Sequence, residues 1–244
     1  GRGAFGKVMR VRDSATGTVR LMQPGEANGE CIQVSNHPFI AQIVETYTKG
    51  NKSFVVKEDP QGGELMHFLT RQQNFSEKQA KFYIAEIAIA LHYLHEKGIL
   101  VRTAQPENFH ISADGHIKLF NLESLFEKRS EFIGLPEYAA PEVLKGKPAT
   151  RASDWWSVGV LLYEMLFEYP PFYANSADIV LNKILTSEPE FPKPISEAAK
   201  SIITEFLRKD PDFRLGTKNK PPPVQAAPKK TTPSIEVEPW KPVT

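Results

Sequence analysis

The sequence predicts an α+β chain in two unequal parts, a small antiparallel β-sheet portion at the front and a mainly α-helical portion behind it. Three observations predict this. β-rich runs cluster before residue 58, helix-period apolar patterns follow the Gly62-Gly63 break, and residues 154–167 are apolar on every side. In the front part, residues 7–12 and 18–22 read as strands flanking a Ser-Ala-Thr-Gly turn, and residues 53–56 as another strand. Behind the break, Ser76 is an N-cap, with Gln79 able to close a capping box. Tyr83, Ile87, Leu91 and Leu94 then fall on one face, and Gly98 stops the helix. The 154–167 run, with Trp155, Trp156, Val158 and Leu161, has no polar face to turn outward and must lie deep in the core. Further helices are expected over 176–186 and 196–209, the latter closed by Pro211. Beyond residue 221 prolines dominate and core-forming residues are few, which predicts an extended tail.

With 244 residues and 41% apolar content the chain can bury a substantial core. Its 30 basic and 29 acidic residues nearly cancel, so no global field favours nucleic acid or an anionic membrane. Cys31 is the one cysteine and cannot pair within the chain. It reads as a small buried hydrophobe in a reducing, cytoplasmic setting. The apolar stretch around 155–167 contains Glu164 and is too short to span a bilayer, and the N-terminus lacks a signal-peptide pattern, so no membrane association is expected.

Gly1-Arg2-Gly3-Ala4-Phe5-Gly6-Lys7-Val8 fits G-x-G-x-x-G-x-V, in which glycines let a hairpin backbone approach phosphates. That motif alone is weak. It is followed in order by Pro106-Glu107-Asn108, by the 134–142 segment Gly-Leu-Pro-Glu-Tyr-Ala-Ala-Pro-Glu, by Asp154-Trp155-Trp156-Ser157-Val158-Gly159 and by Arg214-Leu215-Gly216. In that order and spacing the chain resembles the AGC group of serine/threonine kinases, particularly the protein kinase B, S6 kinase and SGK types, over residues 1 to about 216. In the tail, Glu238-Pro239-Trp240-Lys241-Pro242 resembles the P-P-F-K-P turn of AGC extensions. The resemblance implies a bilobal protein-kinase-like fold: an N-lobe over 1–58 with a reduced or missing C-helix, a hinge at 59–63, a C-lobe over 64–216 and a proline-rich tail over 217–244.

Aligned on these motifs, the positions that do chemistry in the family are changed. The β-strand lysine falls on Gln23, and its helix glutamate partner on Asn28. The H-R-D-L-K-P-E-N loop reads Val101-Arg102-Thr103-Ala104-Gln105-Pro106-Glu107-Asn108, so Thr103 replaces the base and Gln105 the lysine. The D-F-G aspartate position reads Asn121, with Glu123 nearby. Phosphoryl transfer is largely positioning and charge neutralisation, and an amide is a poor magnesium ligand beside a carboxylate. The expectation is therefore a catalytically inactive pseudokinase acting as a binding, scaffold or allosteric module, with no catalytic residue, metal or cofactor. The competing expectations are a serine/threonine kinase with relocated groups and a structural component of a larger assembly. The nucleotide pocket would be vestigial, formed by Gly1, Gly3, Gly6, Val8, Leu21, Lys57 and Asn108. Leu21 and His110 replace smaller or aliphatic residues beside adenine, and Lys57 occupies the gatekeeper position. In the rival reading Lys57 stands in for the lost lysine.

The resemblance implies scaffold roles for Glu142, Arg214 and Asp154, and an apolar column of Ile32, Ile43, Val101 and Leu122 between the lobes. It places Glu131 at the activation-segment phosphosite opposite Arg102. Glu64, Glu107 and Glu164 match the glutamates that hold arginines of a target peptide, so the expected partner is a protein, an active kinase or a basic peptide segment, and not nucleic acid.

Overall fold

The structure is a computed structural model, and it describes residues 2–3, 6–25, 29–71, 75–102, 104–122 and 135–217. The chain opens on a short antiparallel pair, β1 (Arg2–Gly3) and β2 (Gly6–Lys7). The next pair is β3 (Met9–Arg12) and β4 (Val19–Pro24). Their turn is set by Asp13, whose Oδ1 accepts from the Ala15 and Thr16 amides at 2.8 and 3.0 Å, and by Gly17 at φ +72°. Asn or Asp at the start and Gly at the left-handed position are what such a turn requires. Helix α1 (Gly29–Val34) has only six residues, the reduced C-helix expected. Cys31 and Val34 face inward from it, fully buried or nearly so, while Ile32 is 37% exposed. Of the expected apolar column, Ile43, Val101 and Leu122 are buried and Ile32 is not, because so short a helix presents its neighbours to the core instead. Strands β5 (Ile43–Lys49) and β6 (Lys52–Glu58) complete a four-stranded sheet of order β3-β4-β6-β5.

Strand β7 (Gln61–Glu64) starts a separate three-stranded sheet, finished by β8 (Phe109–Ser112) and β9 (Ile117–Leu119). Gly62 is required there: a Cβ on it would lie 2.3 Å from the Ile111 carbonyl oxygen. Between β7 and β8 lie α2 (Leu65–Arg71) and α3 (Glu77–Glu96), the latter opened by the Ser76–Gln79 capping box. Tyr83, Ile87, Leu91 and Leu94 are fully buried along its inner face. After the short α4 (Pro141–Leu144) comes the central helix α5 (Arg151–Phe167), buried from Ala152 to Phe167. It begins before the apolar run because Thr150 and Ser153 cap each other reciprocally. Helix α6 (Ala177–Thr186) packs on α4 and the turn at Pro136–Tyr138, and α7 (Glu197–Phe206) packs against the central helix, with the Trp155 and Phe206 rings stacked at 5.8 Å. The front sheet is stitched to the back by Leu119, whose amide donates to Phe39 O at 2.9 Å and whose carbonyl accepts from Ala41 N at 2.8 Å.

Candidate functional site

The cleft between the two sheets is built from β4, β6, β8 and the segment after β9. In the β4–β6 register Leu21 opposes Lys57 and Gln23 opposes Val55. Residues two apart on a strand share a face, so Gln23 and Lys57 are diagonal neighbours on one face of the front sheet. Both are buried, Gln23 at 3% and Lys57 at 0% exposure. Lys57 Nζ donates to the Phe120 carbonyl at 2.9 Å and lies 4.2 Å from the centre of the Phe120 ring. His110, from β8, stacks on the same ring at 4.1 Å. Burial, with the Lys57 charge second, pushes the His110 imidazole down to about 4, so it is neutral near pH 7. Asn121 Nδ2 donates to Asn108 Oδ1 at 3.3 Å, and the Phe120 amide to Asn108 O at 2.7 Å. Gly3 and Gly6 lie in β1 and β2, and Val8 is partly buried just after them. Gly1, Asn28, Thr103, Glu123 and Glu131 lie outside the described residues, and so does the proposed Arg102–Glu131 pair.

Asn108 and Asn121 offer neutral amide oxygens, and among the described residues no group of three or more His, Cys, Asp or Glu is placed to hold a metal. Protein-held magnesium usually has one or two carboxylates. Among the described residues this donor set does not fit a resident magnesium ion.

The loop beneath the cleft is held from α5. Asp154 Oδ2 accepts from the Val101 amide at 2.9 Å and is 2.7 Å from His95 Nε2. Ser157 Oγ accepts from the Ala104 amide at 2.8 Å. Arg102 takes a left-handed φ of 66° at this bend. Gln105 Oε1 accepts from the Leu135 amide at 3.2 Å and so joins the loop to the segment ahead of Pro136. Further back, Arg214 makes a bidentate pair with Glu142, Nη1 to Oε1 at 2.6 Å and Nη2 to Oε2 at 2.9 Å. Ser153 Oγ adds a bond to Glu142 at 3.1 Å.

The acidic residues form a second feature. Glu64 ends β7, Glu107 sits in a 3-10 turn at Pro106–Asn108, and Glu164 projects from α5. Burial raises the Glu107 carboxyl, and Glu64 is close enough to add to the shift. Burial first, then the charges of Glu107 and Glu137, pushes Glu164 up to about 8. The fold therefore gathers the expected three glutamates and adds Glu137. Tyr138 donates its hydroxyl to Glu164 Oε2. Glu107 Oε2 and Glu137 Oε2 are buried without a hydrogen-bond partner among the described residues, the condition that calls for a cation. Alongside runs a groove of about 260 Å³ lined by Met66, Leu69, Thr70, Glu164 and Glu168. Sequence reasoning missed Glu137, although it lies inside a recognised motif, and it missed Phe120, for which no motif gives a signal.

The protein kinase domain family matches residues 1–221, and the chain belongs to that family. It is 40% identical over 237 residues to the probable cAMP-dependent protein kinase catalytic subunit of Encephalitozoon cuniculi, covering 89% of this chain and 74% of that protein. It is 36% identical over 236 residues to the RAC-beta serine/threonine-protein kinase of Homo sapiens, covering 88% of this chain and 49% of the relative. Against the serine/threonine-protein kinase gad8 of Schizosaccharomyces pombe the identity is 37% over 237 residues, covering 89% and 42%. The chain thus spans about half the length of several curated relatives. The AGC resemblance holds, and the relatives bear the names of kinases.

These relatives overturn the expectation of an inactive pseudokinase, of a chain that is not an enzyme, and of a scaffold module. The inference ran from Gln23, Thr103, Gln105 and Asn121 to loss of function, and that step does not hold. Phosphoryl transfer depends mainly on positioning and charge, and the structure keeps a buried cation one diagonal step from Gln23. Among the described residues no helix is long and apolar enough to cross a membrane.

Proposed function

We propose that this chain is the kinase domain of an AGC-type serine/threonine protein kinase, transferring the terminal phosphoryl group of ATP to a serine or threonine hydroxyl in a basic peptide. The observation that carries this reading is Lys57. Its ammonium is wholly buried in the cleft, diagonal to Gln23, with Nζ 2.9 Å from the carbonyl that precedes Asn121. A cation there neutralises phosphate charge from an adjacent strand. The kinase names of relatives at 36–40% identity support the same reading. The nucleotide, as its magnesium complex, would supply the phosphoryl group and leave as ADP, with the hydroxyl proton passing to solvent. The protein's residues hold the nucleotide, through Lys57 and the amide of Asn108, and the peptide, through Glu64, Glu107, Glu164 and Glu137. Thr103 offers no general base, which typically costs roughly 10²- to 10⁴-fold, so the enzyme is slow. The single buried thiol of Cys31 accords with a reducing, cytoplasmic setting.

The test is phosphate incorporation from magnesium-ATP into serine peptides with and without arginines ahead of the serine. Incorporation into the arginine peptide is expected, falling at least tenfold in Lys57→Met with the melting temperature kept. A wild-type rate no higher than an enzyme-free control refutes the proposal.

A further inference from the structure

Phe120 links the two halves of the cleft. Its ring is 97% buried (3% exposed), touched by the Lys57 ammonium from the front sheet and stacked by His110 from the back sheet. Its backbone is pinned by the amide bond to Asn108 O and by the carbonyl bond from Lys57. With the backbone held at these two points, displacing the ring means turning the side chain and breaking its contacts with Lys57 and His110. A ligand that enters between the sheets must displace this ring. What best replaces it is another flat π-system that stacks on a neutral imidazole, joined to an anion that takes the ammonium released from the ring and the carbonyl. A nucleobase carrying phosphates has that chemistry.

We propose that Phe120 is a built-in occupant of the nucleotide cleft: its ring holds the place of the base, and nucleotide binding expels it as Lys57 exchanges Phe120 for phosphate. This rests on the kinase reading above and adds to it a residue that sets nucleotide affinity. The ring competes directly with the base and shares Lys57 with the incoming anion, so removing it strengthens binding of ligands that contain a base most and of simple polyphosphate less. Lys57 serves both states, so removing it loosens the ring and also takes away the phosphate's partner, and the loss falls on ligands that carry phosphate.

The experiment is calorimetric titration of wild-type protein, Phe120→Ala, Phe120→Leu and Lys57→Met with magnesium-ADP, adenosine and inorganic tripolyphosphate. Phe120→Ala is expected to bind ADP and adenosine at least tenfold more tightly than wild type, with a smaller gain for tripolyphosphate. Phe120→Leu, which keeps an apolar filler, is expected to lie between them and guards against a poorly folded alanine variant. Lys57→Met is expected to lose the preference for ADP over adenosine. Equal or weaker adenosine binding by both Phe120 variants overturns the proposal while leaving the kinase reading intact if wild-type protein still transfers phosphate. No binding of ADP by any of the four proteins, with no transfer, overturns both.

Discussion

Glu164 carries a proton that its sequence neighbours do not announce. Its carboxyl is raised from an ordinary 4.5 to about 8, first by burial and then by Glu107 and Glu137. The folded chain therefore holds a proton between those values that the unfolded chain releases. The associated stability is fully present below 4.5 and is lost as the pH rises through about 8. An arginine side chain needs the charged carboxylate, so an arginine-rich peptide is expected to bind more tightly as pH rises towards 8 and to release a proton on binding. Titration calorimetry in two buffers of different ionisation enthalpy measures that proton. In Glu164→Gln the release is expected to vanish and the affinity to fall about tenfold, the size of one charge-assisted hydrogen bond. Legibility at this scale is uneven. Glu64, Glu107 and Glu164 were readable only through the family resemblance, which aligns them with peptide-holding glutamates. The step from Gln23 to lost activity is overturned by the kinase relatives; the sequence offers Lys57 as a stand-in, but its diagonal register to Gln23 belongs to the paired strands and not to either segment alone. Phe120 was invisible for the same reason: its partners come from positions 57 and 110.

Elements were the most legible scale, since each rests on a local signal. Ser76 and Gln79 cap α3 reciprocally, and the four residues expected on its inner face are fully buried. The central helix was readable from its unbroken apolar surface, but its start was not, because the Thr150–Ser153 cap lies upstream of the apolar run. The end of α7 was overestimated: it stops at Phe206, and Asp210 caps a separate 3-10 turn over Pro211–Phe213. Where α5 meets α7 the chain uses a glycine for close approach, and a Cβ on Gly159 would fall 2.6 Å from Phe206 Cβ. Gly159→Ala is expected to force α7 outward and to lower stability by about 1–3 kcal/mol. Urea unfolding with an unchanged m-value measures it. Gly17→Ala, at an exposed left-handed turn with open space around it, is expected to cost about 1 kcal/mol through backbone strain alone.

On the proposed reading, charge recognition of the peptide falls to Glu64, Glu107, Glu137 and Glu164, on a chain that carries 30 basic and 29 acidic residues. Peptide phosphorylation should therefore depend steeply on ionic strength while nucleotide binding in the buried cleft depends on it less. A rise in KM for the peptide between roughly 0.05 and 0.5 M salt, where the screening length shrinks from above to below 10 Å, with KM for ATP nearly constant, is the expected pattern. The bilobal organisation was legible from composition and motif order, because a sheet-rich segment and a helix-rich segment have different periodicities. How the lobes meet was not, because that contact runs through Leu119 and Phe120 to residues far away in sequence. The Glu142–Arg214 pair sets a limit on the order of events as the chain emerges from a ribosome. Until residue 214 has cleared the exit tunnel, Glu142 has no guanidinium to meet, and burying its carboxylate alone costs about 3–5 kcal/mol. That is a large part of the 5–15 kcal/mol that holds a typical domain together. The helical lobe is therefore expected to close late in synthesis, and chains truncated between residues 143 and 213 to be digested by protease faster than the full chain, which limited proteolysis measures.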